Sequence, residues 1–490
     1  MRERIAKSVF WIVLSRGGVQ VLAFLSTLVV ARMLDPSDYG LMALAGVWTA
    51  TIAMVAEMGL GSAIIQFRDL EDRDLNSCFW LTMGIAGIGY LGLCIAAPVI
   101  AALFSSPMLS DVLRVVGLTL PVTALRIVPD GLLRKRLALD KISQAEIAAA
   151  IVTIPVVVGL AWAGAGVWAL VAAAIVGPLT QSVVTFWFMH WWPGMQIGGA
   201  HFREVLSYSA ATVGSKVCWM LREQADALVL GKVSGDVLLG FYSMAKQLAT
   251  LPVSKVSAMV NQLASPVMAE LQTNQEALRE SFLRGTRLVA SATFPLSLGL
   301  MLVAEDLVRV ALTDKWLSAV PVFRVLCLYA AIRSVDVLLP PILMARYRAN
   351  FLFIYTLALL GVMPLAFWIG AVQWGAMGVA IACVMVYPII MLWMAREAFR
   401  EVVLSWKTFW LHIWEPTVAT LCMVVAMLLA QWGLVALWGN FPLVRLATMG
   451  VSGTVAYAAC LWGIGGAVYR DLQEVAGWLV RKDLPLIAEI

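Results

Sequence analysis

Ionisable side chains set inside apolar segments are the residues of this chain that could do chemistry. Most lie between Ser207 and Met268, in two apolar arms joined at Gly231-Lys-Val-Ser-Gly-Asp236. The first arm carries Lys216, Arg222, Glu223 and Asp226; the second carries Lys246 and Lys255. A charge at bilayer depth costs about 2.5–3.5 kcal/mol on insertion scales, so it is kept to pair with another charge or to meet a polar cargo. Lys216, Lys246 and Arg16 have no acidic residue three or four positions away. A bound anion is then their cheapest counter-charge. Arg222 and Asp226 stand four apart and predict an internal ion pair. Arg126 with Asp130 and Arg333 with Asp336 are spaced for similar pairs. Glu57 and Glu223 have no obvious partner, and each could carry a coupling proton or neutralise a nearby base. Lys246 and Lys255 are nine residues apart, half a turn out of phase, so they cannot both point into one cavity.

The elements that position these groups are membrane helices. The chain has 490 residues, 61% hydrophobic and 13% charged, with mean hydropathy +0.87. A soluble protein has about 25% charged residues. The net charge of +5 comes from scattered residues, which excludes a nucleic-acid binder. Seven cysteines without a C-x-x-C pair and three separated histidines imply neither disulfide nor metal site, and no cofactor is expected. No nucleophile, zinc or phosphate-loop motif appears, so no catalytic residue is assigned.

At about 20 apolar residues per crossing, the apolar runs predict fourteen transmembrane helices. The first is read as a helix and not as a cleaved signal. Lys and Arg alternate between loops and place both termini in the cytoplasm. The polar stretch Ala269 to Gly285 reads as a surface helix joining helices eight and nine. Tryptophans at helix ends read as an interfacial belt. The chain also repeats itself. Ser15-Arg16 corresponds to Ser215-Lys216, Arg32 to Lys232, Gly40-Leu41 to Gly240-Phe241 and Ala45 to Ala245, without a gap. A repeat of six helices preserves topology and implies an axis along the membrane normal. The fold expected is all-α and polytopic: an N-terminal lobe over 1–190, a C-terminal lobe over 203–396, two extra helices over 409–468 and a cytoplasmic tail over 469–490.

Val30-Ala-Arg-Met-Leu-Asp-Pro-Ser-Asp-Tyr-Gly40 and Met58-Gly-Leu-Gly-Ser-Ala-Ile-Ile-Gln66 resemble the first hairpin of the polysaccharide transporter family. Ala97-Pro-Val-Ile-Ala-Ala-Leu-Phe104, Asp226-Ala-Leu-Val-Leu-Gly231 and Leu239-Gly-Phe-Tyr-Ser-Met-Ala245 resemble it too. These are Wzx-type flippases, most similar here to the colanic-acid group, in a superfamily with the lipid II flippase and multidrug exporters. The resemblance implies two six-helix lobes around a central cavity, alternating access, and movement of an undecaprenyl-pyrophosphate-linked oligosaccharide to the outer leaflet of a bacterial inner membrane, for exopolysaccharide or lipopolysaccharide. It implies a lipid-linked glycan and membrane lipid as partners, with a polymerase and chain-length machinery alongside. Fixed cations suit a diphosphate in a low-dielectric path. Arg16, Lys216, Lys246, Arg222 and Arg333 are the bases assigned to the headgroup; Glu57, Glu223 and Asp226 are assigned to ion coupling. A cation-coupled multidrug exporter of the same fold would favour interior acids, whereas lone bases outnumber lone acids here. A membrane polymerase or ligase would need a sizeable outer loop, and none is found.

Overall fold

The computed structural model describes residues 18–473 except 19, 58, 68–69, 197, 199–201, 439–440 and 472. Only the backbone is described at 62, 202–216, 259, 261–263, 265 and 434–438. Every regular element among the described residues is helical. In order these are α1 (Gln20–Met33), α2 (Pro36–Glu57), α3 (Leu60–Gln66), α4 (Asp72–Leu103), α5 (Met108–Val116), α6 (Thr119–Lys135), α7 (Leu139–Trp162) and α8 (Val167–Met189). There follow α9 (Phe202–Glu270), α10 (Gln275–Ala311), α11 (Val320–Val335), α12 (Leu339–Ala345), α13 (Ala349–Glu401), α14 (Trp406–Trp438) and α15 (Pro442–Ile464).

Ten helices among the described residues are long and apolar enough to cross a membrane. Two of them are bent double. In α9 the backbone leaves helical geometry at Gly235, with φ 81°. Beyond the bend, Tyr242 donates a hydrogen bond to Asp226 at 2.7 Å. Sixteen residues of straight helix would separate such a pair by about 24 Å. In α13 the break falls at Trp374 and Gly375, and Gly370 meets Gly378 backbone to backbone. The break in α9 falls within the Gly231–Asp236 joint that the sequence marks. The polar stretch from Ala269 departs from expectation. It is no separate surface helix: α9 runs to Glu270, a 3-10 turn covers Leu271–Thr273, and the rest is the start of α10. Asn274 caps that start by accepting from the Ala277 N–H at 3.1 Å. Its charges form the wet end of a crossing helix, which needs no change of direction at Gly285.

The chain divides into two compact units, Met1–Ser243 and Met244–Ile490. In the first, α3, α4, α6 and α7 close an apolar core on Leu60, Ile64, Phe79, Val128 and Ile142. The same unit joins the ends of α2 and the second arm of α9 without any intervening side chain. A Cβ on Gly40 would lie 1.8 Å from the Asp236 carbonyl oxygen, and one on Gly240 1.7 Å from that of Pro36. Only glycine permits such an approach. In the second unit, Met423, Met427 and Met449 join α14 to α15, and the Tyr457 hydroxyl donates to Ser291 O of α10 at 2.7 Å.

Candidate functional site

The charged residues of α9 are held by its hairpin. Asp226 is buried at 4% exposure. Its Oδ2 accepts from the Tyr242 hydroxyl, and its Oδ1 from the Ala227 N–H at 2.8 Å. Arg222 does not make the four-residue pair expected of it. Its guanidinium salt-bridges Glu223, the next residue, at 2.7 Å, because Asp226 turns toward the returning arm. The Arg222 Nε is buried with no acceptor among the described residues. That leaves a donor to spare beside a half-buried ion pair.

Lys246 lies partly buried on the second arm and Lys255 is exposed, as their phase requires. Lys232, at the hairpin tip, donates to the Leu103 carbonyl at 2.6 Å and so caps the C-terminus of α4. Glu57 ends α2 and is exposed. Arg333 sits partly buried on α11; Asp336, three residues on, accepts from the Tyr387 hydroxyl of α13. Arg126 and Asp130 do form their pair, at 3.5 Å. Arg16 and the side chain of Lys216 lie outside the described residues. The structure therefore brings together Arg222 with Glu223, and Asp226 with Tyr242. Lys246 and Arg333 belong to the second unit.

Three polar clusters escaped the sequence. Arg287 donates twice to Asp471 Oδ2, at 2.9 and 2.5 Å, and Arg284 pairs with Oδ1 at 3.1 Å. Glu415 of α14 accepts from the N–H groups of Ala467 and Val468, at 3.1 and 2.9 Å. Arg445 pairs with buried Asp306 at 3.3 Å. Each spans more than 50 positions, so no helical spacing announces it.

The family described as Polysaccharide biosynthesis protein matches residues 29–321, from before the first hairpin to the start of α11. The chain belongs to that family. This polysaccharide biosynthesis protein is 25% identical over 433 residues to the lipopolysaccharide biosynthesis protein WzxC of Escherichia coli (strain K12), covering 84% of this chain and 86% of that one. It is 28% identical to the teichuronic acid biosynthesis protein TuaB of Bacillus subtilis (strain 168), covering 67% and 68%. Among solved structures it shares its fold with the lipid II flippase MurJ in an inward closed conformation. The TM-score is 0.71 at 13% identity, over 94% of this chain and 99% of that one. An inward-facing MATE multidrug transporter gives 0.61 at 16% identity, over 78% and 95%. The polysaccharide biosynthesis protein is thus a multi-pass membrane protein with the fold that these two transporters share.

Proposed function

We propose that this protein moves an undecaprenyl-pyrophosphate-linked oligosaccharide from the cytoplasmic to the outer leaflet of a bacterial inner membrane, with both termini in the cytoplasm. The observation that carries the reading is the family match over residues 29–321. Multidrug and lipid flippases share the fold, so the fold alone does not choose between their cargoes. A polysaccharide family does. The cargo is a lipid, a concentrated anion and a glycan in one molecule, and it needs fixed cations along an otherwise apolar path.

Lys216, with Arg16 and Lys246, holds the pyrophosphate. Arg222 and Arg333 contribute further along the path. The spare donor of Arg222 supports that assignment, although Glu223 already takes part of its charge. Glu57, Glu223 and Asp226 reset the empty carrier by exchanging a cation. The chain performs no bond chemistry of its own; a polymerase and chain-length machinery act on the delivered glycan. The membrane potential, negative inside, favours outward movement of anions by about 2.3 kcal/mol per charge per 100 mV. Export of polymer in a strain lacking its own transporter tests the site. Lys216→Ala abolishes export at normal protein level, and Lys216→Arg retains part of it. Undiminished export from the Lys216→Ala, Arg16→Ala double mutant rules the headgroup site out.

A further inference from the structure

The chain reverses between α6 and α7 through a left-handed residue, Leu137, at φ 56°, and between α12 and α13 through Tyr347, at φ 58°. The two turns close with the same bonds. The Leu137 N–H donates to Arg134 O at 3.0 Å and the Ala138 N–H to Leu133 O at 2.9 Å. The Tyr347 N–H donates to Met344 O at 3.1 Å and the Arg348 N–H to Leu343 O at 2.7 Å. Each turn holds a large residue in a conformation that favours glycine and leaves it bare: Leu137 is 81% exposed and Tyr347 82%. Bases flank both turns, Arg134, Lys135, Arg136 and Lys141 in the first unit, Arg346 and Arg348 in the second.

The two units treat those bases differently. In the second, the end of α13 neutralises them. Arg348 pairs with Glu397, and with Glu401 at 2.7 Å. Arg346 stands 3.6 Å from Glu401 and donates to Gln272 O at 3.1 Å. In the first unit the returning helix is α8, and its end is aromatic. Gly166 and Gly375 break the two hairpins at nearly equal angles, φ 56°, ψ −132° and φ 57°, ψ −135°. Counted from those glycines, Phe188 and Trp192 stand where Glu397 and Glu401 do. Lys141 Nζ lies 6.0 Å from the centre of the Phe188 ring. Trp192 stacks at 5.5 Å on Phe186, which packs with Ala138 against the core of this unit. Lys135 is occupied, donating to Phe67 O at 2.7 Å. Arg134 feels Asp130, one turn back on α6, and Asp140 stands exposed beside Lys141. Among the described residues, however, Arg134, Arg136 and Lys141 form no salt bridge.

The turn sits where three spanning helices end, at Lys135, Leu139 and Met189, which is the level of lipid headgroups. Guanidinium and ammonium donors there match phosphate oxygens. Bare Leu137, with Trp192 at 76% exposure, matches the apolar boundary beneath those headgroups. An anionic phospholipid supplies both in one molecule; a zwitterionic one brings its own ammonium and neutralises less. We infer that the α6–α7 turn, through Arg134, Arg136 and Lys141 beside Phe188 and Trp192, binds the headgroup of an anionic phospholipid. The α12–α13 turn, already neutralised by Glu397 and Glu401, binds none. This site is separate from the cargo site proposed above and does not rest on the transport reading.

The test is native mass spectrometry of the purified full-length protein in neutral detergent, titrated with phosphatidylglycerol or with phosphatidylethanolamine. The wild type retains phosphatidylglycerol in preference. Arg134→Gln with Arg136→Gln weakens that retention by about thirtyfold, as loss of two interfacial bases requires. Arg396→Gln with Lys407→Gln removes the same charge from exposed positions of the second unit and leaves retention unchanged. Phe188→Glu, which gives the first unit the acid that the second already has, also abolishes the preference. Equal losses in the two double variants overturn the site, since bulk charge then explains the binding. Equal retention of the two lipids by the wild type overturns it too. Farnesyl pyrophosphate distinguishes the other source of a lipid phosphate: if it displaces phosphatidylglycerol from the wild type and binds more tightly through Arg134 and Arg136, the turn serves the diphosphate cargo and the phospholipid assignment fails.

Discussion

Asp226 shows how an interior carboxylate is kept in place. Four residues from Arg222, it turns instead to Tyr242, which is 1% exposed and stands on the far side of a bend. Loss of a partner from a buried charged acceptor costs about 1–3 kcal/mol. Tyr242→Phe therefore lowers the thermal midpoint of the protein in detergent, and Asp226→Asn in the same background gives back part of the loss. An unshifted midpoint in Tyr242→Phe would show that the bond is idle. The helical spacing made the charges of α9 conspicuous and named the Arg126–Asp130 pair correctly. It could not name Tyr242, because the partnership depends on the hairpin closing, and nothing in a local pattern records which arm returns beside which. The same reason hid Asp471 from Arg284 and Arg287.

At the scale of elements, the 200-residue repeat makes a structural claim that the hairpins answer. Gly40 and Gly240 correspond in sequence, and each meets the backbone of the other's hairpin at a distance no side chain tolerates. The obstruction is a carbonyl group, which cannot rotate away as a side chain would. Overpacking of a tight contact costs about 1–3 kcal/mol. Gly40→Ala and Gly240→Ala both reduce the yield of folded protein on size-exclusion chromatography. Gly46→Ala, where a methyl group would meet nothing within 4 Å, leaves it unchanged. Equal yields from all three would break the argument. The turn position in α9 is readable in the sequence because glycine marks it. The start of α10 was misread because alternating charges look alike on a surface helix and on the wet end of a crossing one.

For the whole molecule, the alternation of basic loops is the strongest directional signal the sequence holds. Cysteine placed at Lys141 and at Ser234, with the seven native cysteines removed, tests it. A membrane-impermeant thiol reagent added outside cells labels position 234 and spares 141; the reverse pattern inverts the orientation. The fold class was legible because a bilayer leaves so few options for an apolar chain: helices satisfy their own backbone and little else does. The cargo was not legible from such physics, since the same helices carry drugs or lipids; it entered through family-specific residues. One contact also carries a symmetry of its own. Pro36 touches Gly240 as Asp236 touches Gly40, and these partners exchange under the 200-residue shift. Reciprocal contact of that kind is what two identical subunits make across a two-fold axis. The covalent chain thus carries within itself a contact with the symmetry of a two-fold seam. Because the seam is made of main chain, side chains elsewhere in the two hairpins can differ, as Arg32 and Lys232 do, whereas Gly40 and Gly240 have no room for one.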